Sequence, residues 1–166
     1  MTTMTRDRAC HAPTACLLLA FELGQRSWKL GLSAGIGQRP RVRQIPAGAV
    51  GVIANEMVRA KTRLGLRPEA AVISCDETGR DGFWLPRELV AQGITNHVVD
   101  SSSMEVNRRA PRAKTDRLDR DGFLSLLARY VQGDWRVVRV VRVPTVADED
   151  ARQLPRGRRW PKIGRA

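Results

Sequence analysis

Four acids stand where they could do chemistry. Glu22 lies near the end of the apolar run "CLLLAFEL", Glu77 follows the run "EAAVISC", and Asp116 and Asp119 sit three apart in "KTDRLD". Residues three apart share one face of a helix. Carboxylates gathered from two strand ends and a helix start repel one another, and a cation between them relieves the repulsion. Mg²⁺ (or Mn²⁺) suits such a set, because Mg²⁺ takes hard oxygen ligands and keeps waters and phosphates in its shell. Two such ions can activate an attacking oxygen and stabilise a departing one in a phosphodiester displacement. Around the acids lie Arg108, Arg109, Arg112, Lys114, Arg117 and Arg120. Such bases hold a nucleic-acid backbone and position it without reading its sequence.

Each of these residues also has a plainer use. Glu22 could pair with Lys29, and Glu77 could cap the turn "TGRDG". Asp116 and Asp119 could be ordinary helix-start acids favoured by the helix dipole. The basic run could be a solvated loop. Asp76 is the rival to Glu77, since a shift of one residue exchanges them; Asp76, Asp81 and Asp121 are otherwise read as loop or solvent acids. Trp84 and Phe83 read as core or lid residues, and Thr115 as the N-cap of its helix.

The charge of the whole chain agrees with a phosphate partner. Its 166 residues carry 29 Lys+Arg against 17 Asp+Glu, a formal net charge of +12. That excess points to a polyanion, DNA or RNA. Three cysteines at irregular spacing argue against a disulfide scaffold. "CHAPTAC" lacks the second ligand cluster a zinc site needs. "ACLLLAFEL" is too short to cross a bilayer and contains Glu22. No signal-peptide pattern is present, and a cytoplasmic location is expected.

The elements that must position these residues follow from periodicity. "CLLLAFEL" reads as a buried strand and "RSWKLGLS" as a second, joined to it in a hairpin. "RVRQI" reads as a third strand. From Ala49 the period changes to that of an amphipathic helix, with Val50, Ile53, Met57 and Lys61 on one face and Ala54, Val58 and Leu64 beside it. "EAAVISC" is a strand, "DETGRDG" a loop, "FWLPRELVAQG" a short helix with Pro86 in its first turn, and "ITNHVVD" a strand. Thr115 to Val131 is a helix facing the core through Leu118, Phe123, Leu124, Leu127 and Tyr130. "WRVVRVVRVP" fits a strand, a linker or a helix, and "TVAD" resembles a capping box. Three strands in a meander, then strands alternating with helices, describe a mixed α/β sheet covered by helices. The ribonuclease-H-like (RuvC-like) fold matches that order. The expected divisions are a flexible leader over 1–15, the ribonuclease-H-like domain over 16–133, and a basic linker or truncated helical tail over 134–166.

"CDETGRDGFWLPRELVAQGITNHVVD" and "EVNRRAPRAKTDRLDRDGFLSLLARY" together resemble the N-terminal domain of IS110-family transposases. The resemblance runs over roughly residues 16 to 150. It implies a RuvC-like fold and an Asp-Glu-Asp-Asp metal site. The family glutamate falls on Glu77 in "DETG", and the last two aspartates fall on Asp116 and Asp119 in "KTDRLD". The first aspartate falls on Glu22. This chain departs from the pattern in having glutamate at 22, and Asp76 where the family has tyrosine. The resemblance also implies DNA and a structured guide RNA as partners, homo-oligomers, and a second domain bearing a catalytic serine, beyond Ala166. A truncated element, a decayed copy or a single isolated domain is therefore expected, with no serine here acting as the nucleophile. The expected function is metal-dependent phosphodiester cleavage or strand transfer in DNA transposition, incomplete without the second domain. The alternatives are a catalytically inactive DNA- or RNA-binding remnant, and a stand-alone Holliday-junction or ribonuclease-H-like nuclease.

Overall fold

The run of apolar residues at Leu17–Leu23 forms β1, and it is continuous because helices cover this strand on both faces. The computed structural model describes residues 15–77, 82–100 and 116–153, with backbone alone for 116–120 and 152–153. A tight turn returns β1 into β2 (Ser27–Ser33), with Glu22 opposite Lys29 and Leu23 opposite Trp28. Gly24 is required there: a Cβ would come within 2.6 Å of the Ser27 carbonyl oxygen. β3 (Arg41–Pro46) runs antiparallel along β2 and forms one edge. Then come α1 (Val50–Arg63), β4 (Val72–Glu77), α2 (Trp84–Ala91) and β5 (Thr95–Val99). After them come α3 (Asp116–Val131), β6 (Val140–Val141) and α4 (Val146–Gln153).

The sheet order is β3-β2-β1-β4-β5-β6. β4 lies parallel to both β1 and β5, while β2 and β6 run antiparallel to their neighbours. A three-strand meander extended beyond its first strand by two successive parallel crossover strands is the ribonuclease-H-like arrangement expected from the sequence. Residues beyond 133 add β6 to the same sheet and the buried Val137 and Val138 to the core on its α3 side.

Alternation sorts the side chains into two cores. Leu17, Leu19 and Phe21 of β1 meet α1 and α2 through Ile53, Ala60, Leu85 and Leu89. Leu18, Ala20, Ile73 and Cys75 meet α3 through Phe123, Leu124, Leu127 and Ala128. Full burial of a Leu or Phe side chain contributes about 1.5–3 kcal/mol over exposure, so the two layers hold the sheet from both sides.

Two expectations are corrected. The buried positions of α1 are Ile53, Glu56 and Ala60, with Val50 and Met57 packed beside them, and Val58 is 64% exposed. Glu56 turns inward because Arg43 of β3 holds it there (Nε donates to Oε2 at 2.9 Å). The second correction concerns "DETGRDG": β4 continues through Asp76 and Glu77, which pair with Val98 and Val99. Asp76 is consequently a buried strand residue, not a loop or solvent acid.

The helix expected from "TVAD" is α4. The Asp148 N–H donates to Thr145 Oγ1 (3.2 Å), and the Thr145 hydroxyl donates to Asp148 Oδ2 (2.7 Å). No helix among the described residues is long and apolar enough to cross a membrane.

Candidate functional site

β1 and β4 are adjacent and parallel, so their C-terminal ends open at the same end of the sheet. From that point β1 turns left into the hairpin, while β4 leads through α2 to β5 on the right. A gap where neighbouring strands part in this way is where open α/β sheets bind ligands. Glu22 and Glu77 stand there. The ladder pairs Leu17 with Val72 and Ala20 with Cys75; the same register carried two residues further sets Glu22 beside Glu77. Alternation puts both on the α3 side of the sheet, in step with Leu18, Ala20, Ile73 and Cys75.

The two carboxylates differ in surroundings. Lys29 Nζ donates to Glu22 Oε1 at 3.0 Å, the pairing open to it from the sequence. The other oxygen, Oε2, is buried and has no hydrogen-bond partner among the described residues. Burying a charged oxygen without a donor is costly, and such an orphan is what a hard cation would satisfy. Glu77 is exposed at the last position of β4. A hollow of about 440 Å³ opens beside Glu22, lined also by Gly24, Gln25, Arg26, Ser27 and Lys29. The donor set therefore fits a divalent ion in part. Among the described residues no three acidic, histidine or cysteine side chains gather around one point.

Asp116 opens α3, and Asp119 follows one turn on. They precede Phe123 by seven and four positions, a spacing that repeats along one stripe of a helix. Their side chains, and those of Arg117 and Arg120, lie outside the described residues. Arg108, Arg109, Arg112, Lys114 and Thr115 lie outside them altogether.

Three further acids matter, and sequence reasoning missed the role of each. Asp76 is only 3% exposed and sits on the opposite face from Glu77. Asn96 Nδ2 donates to Asp76 Oδ1 (2.8 Å), and Ser74 Oγ donates to Asn96 Oδ1 (2.5 Å). Burial pushes the Asp76 carboxyl up to about 6, against the opposing effect of the Asn96 bond. Ser74 and Asp76 share the period-two phase of β4, which was the available signal. Glu149 of α4 reaches back to α2: the Phe83 N–H donates to Oε1 (3.1 Å), and Arg87 Nη2 donates to Oε2 (2.6 Å) and to the Pro144 carbonyl (3.0 Å). The Arg87 hydrogen bond holds the Glu149 carboxyl below its ordinary value. Gly82, at φ +82°, leaves room for this carboxylate, which a Cβ would strike. Trp84, 43% exposed, packs on the buried Trp28 with ring centroids 5.9 Å apart. Glu56 is the third acid.

The fold and this strand-end pair define a ribonuclease-H-like domain with carboxylates at the expected end of the sheet. No family model matches the chain. It is 35% identical over 160 residues to a protein of Sinorhizobium fredii (strain NBRC 101917 / NGR234) named "Putative transposase y4rJ". That match covers 90% of this chain, which spans about 40% of the relative's length. A solved structure, the large terminase nuclease from thermophilic phage G20c, overlays with a TM-score of 0.37 at 14% identity. The overlay covers 71% of this chain and 54% of that one. The fold assignment rests on the chain's own strand order and directions.

Proposed function

We propose that this domain processes DNA in transposition, by metal-dependent cleavage or transfer at a phosphodiester. The observation that carries the reading is the pair Glu22 and Glu77 at the parting of two parallel strands, with Glu22 Oε2 buried and unpartnered among the described residues. The name of the S. fredii relative supports transposition as the setting, and the IS110-like motifs support the DEDD pattern.

Glu22, Glu77, Asp116 and Asp119 would hold Mg²⁺ or Mn²⁺. The bound ion would supply charge neutralisation and a polarised oxygen at the phosphate. Lys29 holds Glu22 through Oε1 and leaves Oε2 for the ion. Arg108, Arg109, Arg112, Lys114, Arg117 and Arg120 would hold the backbone on either side. DNA is the substrate, a structured RNA the guide, and a homo-oligomer the working form.

A second reading, nucleic-acid binding without turnover, draws on the same Lys29 contact, since a lysine already engages one of the two Glu22 oxygens. Calorimetry with Mn²⁺, with and without a short DNA duplex, separates the two. The proposed reading expects metal binding by the unaltered chain and its loss in Glu77→Gln and Asp116→Asn. Duplex binding with no metal uptake in either condition would overturn it in favour of the second.

A further inference from the structure

We propose that Arg41, Arg43 and Arg59 form a second phosphate-binding surface, on the opposite side of the sheet from Glu22 and Glu77, that grips a nucleic-acid backbone. This rests on the reading of the chain as a nucleic-acid-processing domain, but names a surface that the carboxylate site does not use.

Arg41 and Arg43 are two apart on β3 and so project to the same face. Arg43 sits opposite Leu30 and Arg41 opposite Leu32, both of which belong to the core layer under α1. α1 brings Glu56 and Arg59 to meet them. Glu56, with 6% of its side chain exposed, takes Arg43 Nε on Oε2 (2.9 Å), and on Oε1 both Arg43 Nη2 (3.4 Å) and Arg59 Nη1 (3.3 Å). Arg43 chiefly, with Arg59 and Arg41 adding to it, pulls the Glu56 carboxyl below its ordinary value. Among the described residues Arg41 has no carboxylate of its own and its buried Nε has no acceptor. Three guanidinium groups therefore surround one carboxylate, a local surplus of two positive charges.

Fastening α1 to the sheet edge needs one of those arginines. The Arg43–Glu56 pair does it alone, and Arg41 and Arg59 add like charge that the fold must bear. Like charges held close repel, and an anion laid across them removes the cost. Guanidinium forks match phosphate oxygens in pairs, which a lysine cannot do. The edge position leaves the group open along β3, where an extended backbone can run past. Basic residues on an edge strand also deter strand-to-strand aggregation, so the test must read phosphate contacts themselves.

The test is the salt dependence of binding, using short duplexes of DNA and of RNA with the same sequence. Arg41→Gln with Arg59→Gln leaves the Arg43–Glu56 tie in place, and an unchanged unfolding temperature checks that it does. Arg67→Gln with Arg129→Gln removes the same charge elsewhere and serves as the control. Each phosphate contact contributes roughly 0.9 to the slope of log K against log salt, so the Arg41/Arg59 variant should lower the slope by about two and the control by much less. A drop with one duplex alone assigns the surface to that nucleic acid. Slopes equal to the unaltered chain's on both duplexes, or equal drops in variant and control, would overturn the inference and leave edge protection as the role of these arginines. Mn²⁺ binding in the same variants stays as it is if the carboxylate site stands, so failure of one reading is distinct from failure of the other.

Discussion

Glu22 and Glu56 are both partly or wholly buried glutamates that meet a base from a neighbouring strand, yet they end in opposite conditions. Glu56 has both oxygens engaged, one by Arg43 and the other by Arg43 and Arg59. Glu22 has one oxygen on Lys29 and one that is buried without a donor among the described residues. The first carboxylate is complete within the fold and holds α1 to β3. The second is incomplete at the strand ends where ligands of such sheets sit. The difference teaches that an acid beside a base is not thereby structural; what matters is whether every lone pair is met.

Asp76 provides the sharpest probe of that lesson, and the largest effect. Its carboxyl, raised to about 6 from 3.8, makes the folded state prefer the protonated form. The unaltered protein should therefore lose stability as pH rises from about 4 to about 6. Asp76→Asn should escape that loss, with no advantage below pH 4 and a gain of up to about 3 kcal/mol at pH 7. Urea unfolding in metal-free buffer at several pH values reads it; equal stability of the two proteins at pH 7 would show that Asp76 is well served as a charge.

Glu56→Ala is expected to cost about 2 kcal/mol at neutral pH, a value kept moderate because water still reaches Arg43 and Arg59. Since the Glu56 carboxyl is lowered from 4.5, its contribution is present above that value and fades as pH falls below it. Denaturant midpoints of the two proteins should accordingly converge in acid. A loss that persists unchanged at low pH would mean packing, not the ion pair, holds α1.

Glu22→Gln should have the smallest effect on stability, under about 0.5 kcal/mol, because it trades an exposed-side ion pair for relief of an unpartnered charged oxygen. The same change should remove Mn²⁺ binding. A large loss of stability with metal uptake intact would erase the contrast between the two glutamates and make Glu22 another structural acid.

Much of the fold was legible because its signals are local. The two-residue period of "RSWKLGLS", the unbroken apolar run of β1 and the stripe Phe123, Leu124, Leu127 of α3 each follow from how a strand or helix turns its side chains. The strand order followed as well, since a hairpin-linked meander and helix-linked parallel strands leave few alternatives. The candidate acids at Glu22 and Glu77 were legible by type and by their place after apolar runs.

Tertiary contact decided the rest. Periodicity put Val58 beside the core face of α1 and gave no reason to bury Glu56; the guanidinium that makes its burial tolerable belongs to Arg43, thirteen residues earlier on another element. The end of β4 was equally invisible, because Asp76 is a poor strand former that is held by pairing with Val98 and by the side chain of Asn96. Glu149 became the partner of Arg87 and Phe83 only when α4 folded back on α2. The sequence by itself determined most of the segments that become strands and helices, and the candidate acids close to their ends. The tertiary structure alone decided which of those acids find donors, because hydrogen bonds and ion pairs form between groups that the chain brings together from far apart.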